Sequence, residues 1–287
     1  MDLGLAKSLD IPLDVPLLLG EGAFWDELGS RLIFVDIKAR RILIWAPGCE
    51  VQMISTVDDC GFAIPTIGGA FVAGVGRTLC RIQTDGAREI LARVEDSGPI
   101  RINDGTIAPD GAVWFGTMDD EEREPLGHLW SWRADRGLSR HEAGFVVTNG
   151  PAFTPGGDTL YVASSGDRVI YRAKVNGVEL GPLEPFVRFP TEWGYPDGMA
   201  VDEDNHLWVA HWDGFRVTRF DPRGDAVDTI SMPTARPTKP AFGGKERQTL
   251  YITSASIGVD LAHDPLAGRV FAKDVSVRGG ELPRVIV

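Results

Sequence analysis

Six segments of this 287-residue chain share one pattern: RLIFVDI around Phe34, GAFVAGV around Phe71, AVWFGTM around Trp114, TLYVASS around Tyr161, HLWVAHW around Trp208 and TLYITSA around Tyr251. Their aromatic positions lie 37, 43, 47, 47 and 43 residues apart. A repeat of that length constrains the fold more than any single motif does, because each unit can bury its apolar face only against its neighbours. Every segment is rich in β-branched and aromatic residues and follows turn residues (DELGS, IGG, APDG, TPGGD, DEDN and GGKERQ). Each therefore reads as a strand entered through a hairpin. A second strand-like segment comes after, as in RILIWAP, RTLCRIQ, HLWSWRA, RVIYRAK and RVTRFDP.

Units of about four antiparallel strands at a period of roughly 40 to 50 residues are the blades of a β-propeller. Six units predict an all-β, six-bladed β-propeller of four-stranded antiparallel blades, with residues 1–287 as one domain. VFAKDV (270–275) and RVIV (284–287) are expected to complete the last blade, with an N-terminal strand such as PLLLG closing the ring and removing its exposed edge. No window sustains the apolar spacing of an amphipathic helix over three turns.

Composition narrows the partners. A chain that is 43% hydrophobic and 24% charged can bury a core and stay in solution. No apolar run approaches the roughly 18 residues that a membrane span needs, and MDLGLAKSLDIPLDVP lacks the layout of a signal peptide. A cytoplasmic location is the expectation, with no membrane partner. Cys49, Cys60 and Cys80 are odd in number and have no CxxC spacing, so neither a disulfide framework nor a thiolate zinc site is expected. A net charge of -12 repels phosphate backbones and argues against nucleic acid. Oligomeric state has no signature here.

Aligning the units exposes polar side chains upstream of the hairpin turns, in GEGAFW, DCGFAI, RINDGTIA, TNGPAF and YPDGMAV, with TKPAFGG as the sixth unit. Five units carry a residue followed by Gly, and those residues are Glu21, Cys60, Asp104, Asn149 and Asp197, with Asn103 as an additional candidate. Equivalent positions in blades sit at equivalent radii, so these residues face one central channel. Several buried oxygen-bearing side chains are costly unless something pairs with them. A divalent cation resolves that cost. Carboxylates and carboxamide oxygens suit Ca²⁺, Mg²⁺ or Mn²⁺, and carboxylates also accept Zn²⁺ or Fe²⁺; Ca²⁺ and Zn²⁺ lead the expectation. Pro-Asp-Gly occurs twice, but at 109–111 it is the hairpin turn itself, whereas Asp197 falls on the ring and its unit turns at DEDN.

LGEGAFW, RINDG, WFGTM, TNGPAF, YPDGMAVDEDNHLWVA and AFGG together resemble the SMP-30/gluconolactonase/regucalcin family of six-bladed propellers, over nearly the whole chain and in the expected order. FVDIK, FGTMDDEE and TKPAFGG are closer to its bacterial sugar-acid lactonases. The resemblance implies hydrolysis of a small-molecule aldonolactone, such as glucono-, xylono- or arabinolactone, with one divalent metal ion. It places the metal on Glu21, Asn149 and Asp197, and the substrate on Arg101, Asn103 and Glu121, although Glu121 lies in the acidic run DDEERE, where Asp119 or Asp120 could take its place. It departs at ASSGDRV (163–169), where many members carry an Asp-Ser or Asp-Thr pair, which removes the family's warrant for a polar contact from that loop.

On this reading Asp197 is both a metal ligand and the general base. His206 and His211 sit five apart on a strand and so on opposite faces, which makes them turn and surface or core histidines rather than ligands. Trp212 lies where it can stack on a sugar face, and Cys60 is read as a small buried thiol. No GxSxG elbow supports a serine hydrolase. Two other functions stay open: a non-catalytic propeller that binds Ca²⁺ or a protein partner, and a metal-dependent hydrolase of another ester.

Overall fold

The computed structural model describes residues 9–177 and 179–287. The first strand, β1 (Asp10–Leu13), leaves its sequence neighbours and joins the last sheet. The first sheet is then built in order from β2 (Gly20–Asp26), β3 (Arg31–Asp36), β4 (Arg41–Trp45) and β5 (Gln52–Ser55). The second is β6 (Cys60–Pro65), β7 (Phe71–Val75), β8 (Thr78–Ile82) and β9 (Arg88–Arg93). The third is β10 (Ile100–Ile107), β11 (Val113–Asp119), β12 (Gly127–Arg133) and β13 (Gly137–Phe145).

The fourth sheet keeps the four-stranded blade and adds one short strand to it. It holds β14 (Thr148–Phe153), β15 (Thr159–Ser164) and β16 (Val169–Asn176), and β16 then pairs with both the two-residue β17 (Glu179–Leu180) and β18 (Glu184–Arg188). The fifth is β19 (Tyr195–Val201), β20 (Leu207–Trp212), β21 (Arg216–Phe220) and β22 (Ala226–Ser231). The sixth is β23 (Pro237–Gly243), β24 (Thr249–Ser254) and β25 (Val270–Asp274), completed by β1. Among the described residues the helical content is a single 3₁₀ turn, Thr191–Trp193, and no helix is long and apolar enough to cross a membrane.

The sheets form a ring because each one's innermost strand packs on the next, from β2 through β6, β10, β14, β19 and β23 back to β2. These strands are buried almost end to end, whereas outer strands such as β9 and β22 are largely exposed. The repeated aromatic segments are the second strands. Their side chains fill the spaces between adjacent sheets, where apolar burial at about 25 cal/mol per Å² supplies most of the stabilisation. Trp25 of the first sheet stacks on Tyr251 of the sixth with ring centroids 5.3 Å apart, so the seam is packed like any other.

Two sequence expectations about closure are corrected. The closing strand is DIPL (10–13), not PLLLG: Asp10 pairs with Ala272 and Leu13 with Val270. PLLLG is the crossover into the first sheet, with the Leu18 carbonyl already accepting from Ser256 N and Ile257 N. RVIV adds no strand to the last sheet. Arg284 instead grips both carboxylate oxygens of Asp26 in the first sheet, and Val285 exchanges backbone bonds of 3.0 Å with Pro65 and Ile67 beside the second.

Candidate active site

The innermost strands share a device that aims polar side chains at the axis. In all six sheets the pairing of that strand with the next shifts register: between Glu21 and Phe24, Cys60 and Phe62, Ile102 and Gly105, Asn149 and Ala152, Pro196 and Met199, and Pro237 and Pro240. A bulge of this kind bends the strand and redirects a side chain. Glycine lets neighbouring bulges touch: a Cβ on Gly61 would lie 1.8 Å from the carbonyl oxygen of Asn103. The two Pro-Asp-Gly tripeptides separate as expected. Asp110 caps a turn, with its Oδ1 accepting from Ala112 N at 3.0 Å, while Asp197 sits inside β19 at its bulge.

At the end of the channel where the innermost strands begin lies a cavity of about 400 Å³. Glu21, Asn149, Asp197, Arg101 and Asn103 all line it. They are tied together. Asn103 Nδ2 donates to Asn149 Oδ1 at 3.1 Å, and Arg101 donates to Asn103 Oδ1 at 2.6 Å. Asn149 Nδ2 donates to Ser165 Oγ at 3.0 Å, and Ser165 Oγ donates to the Pro196 carbonyl at 2.7 Å, one residue before Asp197. The ASSGDRV loop thus supplies a polar contact through Ser165 even though it departs from the family's pattern. Tyr195 and Trp212 add aromatic walls, each held by a guanidinium, Arg168 at 4.0 Å and Arg236 at 4.6 Å from the ring centroids.

Glu121, the remaining expected substrate contact, is placed elsewhere. Its carboxylate pairs with Arg123 on an exposed loop, and the neighbouring Glu122 lines the cavity instead. Asp119 braces that loop by accepting from the backbone N–H groups of Glu121, Arg123 and Glu124. Asp120 is exposed but reaches Arg101, its Oδ1 accepting from Arg101 Nε at 2.9 Å and Lys38 Nζ at 3.2 Å.

Two carboxyl groups dominate the electrostatics. Burial, and then the charge of Asp104, raise the Glu21 carboxyl to about 8. Burial, followed by the charges of Glu21 and Asp104, raises Asp197 well above the usual carboxylate range, and the two side chains are hydrogen-bonded to each other. Without a cation the pair holds a proton at neutral pH. With two such carboxylates and the Asn149 amide lining one cavity, the donor chemistry fits a hard divalent ion, whose charge would replace that proton.

Sequence reasoning missed one ring residue, Lys239. It stands in the bulge of β23, 5% exposed, and its ammonium donates to Asp104 Oδ1 and, at 3.2 Å, to the Gly105 carbonyl. TKPAF is one residue shorter than TNGPAF and has no glycine, so the residue-then-Gly pattern passed over it. A lysine as the one charged residue of the strand PTKPAFG was the available signal.

The histidines stay away from the cavity. His211 is buried with Nδ1 3.0 Å from the Trp193 carbonyl, packed on Phe189, and burial lowers its pKa to about 4. His206 belongs to a turn group with Asp202 and Asp204 whose ligand-type atoms lie within 4.8 Å of one another. In that group the Asp202 carboxylate already accepts from Trp208 Nε1, Arg219 Nε and the backbone N–H groups of Asp204 and His206. Cys60 is packed in the core between the first two sheets, with Sγ 3.5 Å from the Phe62 carbonyl.

Residues 19–256 match a family model described as the SMP-30/gluconolactonase/LRE-like region. The chain is 33% identical over 279 residues to a pentonolactonase of Haloferax volcanii, covering 93% of this chain and 94% of that protein. It is 35% identical over 266 residues to the L-arabinolactonase of Azospirillum brasilense, covering 88% and 87%. The crystal structure of a regucalcin from Agrobacterium tumefaciens superposes with a TM-score of 0.93 at 23% identity, covering 98% of each chain, and shares the fold.

Proposed function

The chain belongs to the SMP-30/gluconolactonase/LRE-like family, and on that footing we propose that it hydrolyses a sugar lactone to the sugar acid with the help of one divalent metal ion held by Glu21, Asn149 and Asp197. The carrying observation is the hydrogen-bonded, buried carboxyl pair of Glu21 and Asp197 in a cavity also lined by Asn149. Support for a lactone comes from relatives named pentonolactonase and L-arabinolactonase. A bound divalent ion polarises an ester carbonyl and makes water more acidic.

The chain's own residues supply the rest. Asp197 accepts the proton of the attacking water as that water's oxygen bonds to the carbonyl carbon. The ring C–O bond then breaks, and the ring oxygen leaves as a hydroxyl, taking the proton that Asp197 had accepted from the water. Arg101 and Asn103 hold the sugar hydroxyls or ring oxygen, and each is fixed before substrate arrives, Arg101 by Asp120 and Asn103 by the Thr148 carbonyl at 2.9 Å. Such preorganisation lowers the entropy lost on reaching the transition state. Tyr195 and Trp212 offer their ring faces to the apolar side of the sugar. Glu121 joins this set only by leaving Arg123.

A panel of aldonolactones, including glucono-, xylono- and arabinolactone, tests the reading with metal-stripped protein before and after adding back Ca²⁺, Zn²⁺, Mg²⁺ or Mn²⁺. Metal-restored turnover on at least one of them is the expected result. Absence of turnover across the panel with every ion would overturn it.

A further inference from the structure

Asp104 lies outside the proposed metal ligands, yet it contacts the chain that carries one of them. It is 1% exposed on β10. Its Oδ1 accepts from Gly105 N at 2.7 Å and from the Lys239 ammonium, and its Oδ2 accepts from Gly150 N at 3.1 Å across the gap between the third and fourth sheets. Gly150 directly follows Asn149 and adopts φ +78°, in the left-handed region. The Asn149 amide is held separately by Asn103 and Ser165.

We propose that Asp104, with Lys239 as its counter-ion, is a positioning residue that fixes the Asn149–Gly150 backbone and so aims the Asn149 amide oxygen into the metal site. The inference rests on the metal reading above and adds to it a residue that does not itself touch the ion. Stability alone is a poor reason for the pair, since a buried ion pair is often no better than well-packed apolar residues of the same volume. Geometry supplies a better one. Three sheets meet at this carboxylate: β10 carries it, β14 donates to it through Gly150, and β23 neutralises it through Lys239. Charge is consistent as well. Three carboxylates, Glu21, Asp104 and Asp197, against one ammonium leave two negative charges when all are ionised, which matches one divalent ion.

The test is Mn²⁺ binding to metal-stripped, full-length protein by titration calorimetry, with folding followed by circular dichroism. Asp104→Ala is expected to weaken Mn²⁺ binding about 10- to 100-fold, the usual loss when a group supporting a metal ligand is removed. Ile107→Ala, which opens a cavity in the same strand, is the control: it lowers the melting temperature and leaves the affinity unchanged. A merely structural Asp104 would behave like Ile107. Where Asp104→Ala does not fold, Asp104→Asn keeps the shape but sets an amide N–H₂ against Lys239 or the backbone donors, and the same loss is expected. A folded Asp104 variant with wild-type affinity overturns the positioning role alone. Wild-type protein that binds no Mn²⁺ while hydrolysing lactone overturns the metal reading and this inference together.

Discussion

Glu21 of the first sheet and Asp197 of the fifth are hydrogen-bonded carboxyl to carboxyl inside the cavity. They arrive from strands far apart in sequence, and the charge of Glu21 adds to burial in raising the proton affinity of Asp197. Their relationship sets the first prediction. In metal-free protein the Glu21 carboxyl titrates near 8 instead of its ordinary 4.5. The folded state then binds more protons than the unfolded state between those values, so stability is greatest below about 4.5 as far as this group is concerned and is lost as pH rises through about 8. The melting temperature of stripped protein should fall across that window, and saturating metal should flatten the fall. Metal binding at pH 7 should also release protons, read as a heat that depends on the ionisation enthalpy of the buffer.

Asp197→Asn removes the proposed base while keeping its shape. Turnover at saturating metal should drop about 10²- to 10⁴-fold, the usual span for a general base. The alkaline shift of Glu21 should persist, because burial and the charge of Asp104 are its main causes. Full activity with an unchanged pH profile would dismiss the role.

The acidic run after β11 offers a choice between neighbours. Asp120 holds Arg101 at 2.9 Å, whereas Glu121 pairs with Arg123. A hydrogen bond between charged groups contributes about 1.5 to 3 kcal/mol, or roughly 10- to 100-fold. Asp120→Asn should therefore raise the lactone KM toward that range, and by more than Glu121→Gln does. The reverse ranking in a side-by-side kinetic comparison would return the site role to Glu121.

Gly61→Ala places a methyl 1.8 Å from the Asn103 carbonyl oxygen, and backbone has little room to yield. Overpacking of this sort costs about 1 to 3 kcal/mol. Since the strand that must give way carries Asn103 and Asp104, activity should fall along with the melting temperature. Gly48→Ala, at an open turn with nothing within 4 Å, should leave activity intact.

Much of this molecule was legible from its repeats. The aromatic second strands recur because each sheet needs the same filler against its neighbour, and aligning them brought Glu21, Asn149 and Asp197 to one radius. What escaped has identifiable causes. DIPL is four residues long and pairs with a strand some 260 positions away in sequence, so no local pattern marks it as the closure. RVIV looks like a strand, but Arg284 and Asp26 direct it elsewhere. Lys239 broke the ring's sequence rule through a one-residue deletion. Among Asp119, Asp120, Glu121 and Glu122, loop residues without periodicity, only coordinates show which carboxylate points where.

The seam between β1 and β25 also orders events in time. Of the twenty-five strands among the described residues, a ribosome delivers β1 earliest and its partner strand last, so most of the blades can assemble while β1 waits unpaired. Lys239 reaches Asp104 only after the sixth blade has emerged. A nascent chain stalled before that point would carry Glu21, Asn149 and Asp197 but lack the lysine that neutralises Asp104, and its first strand would have no partner.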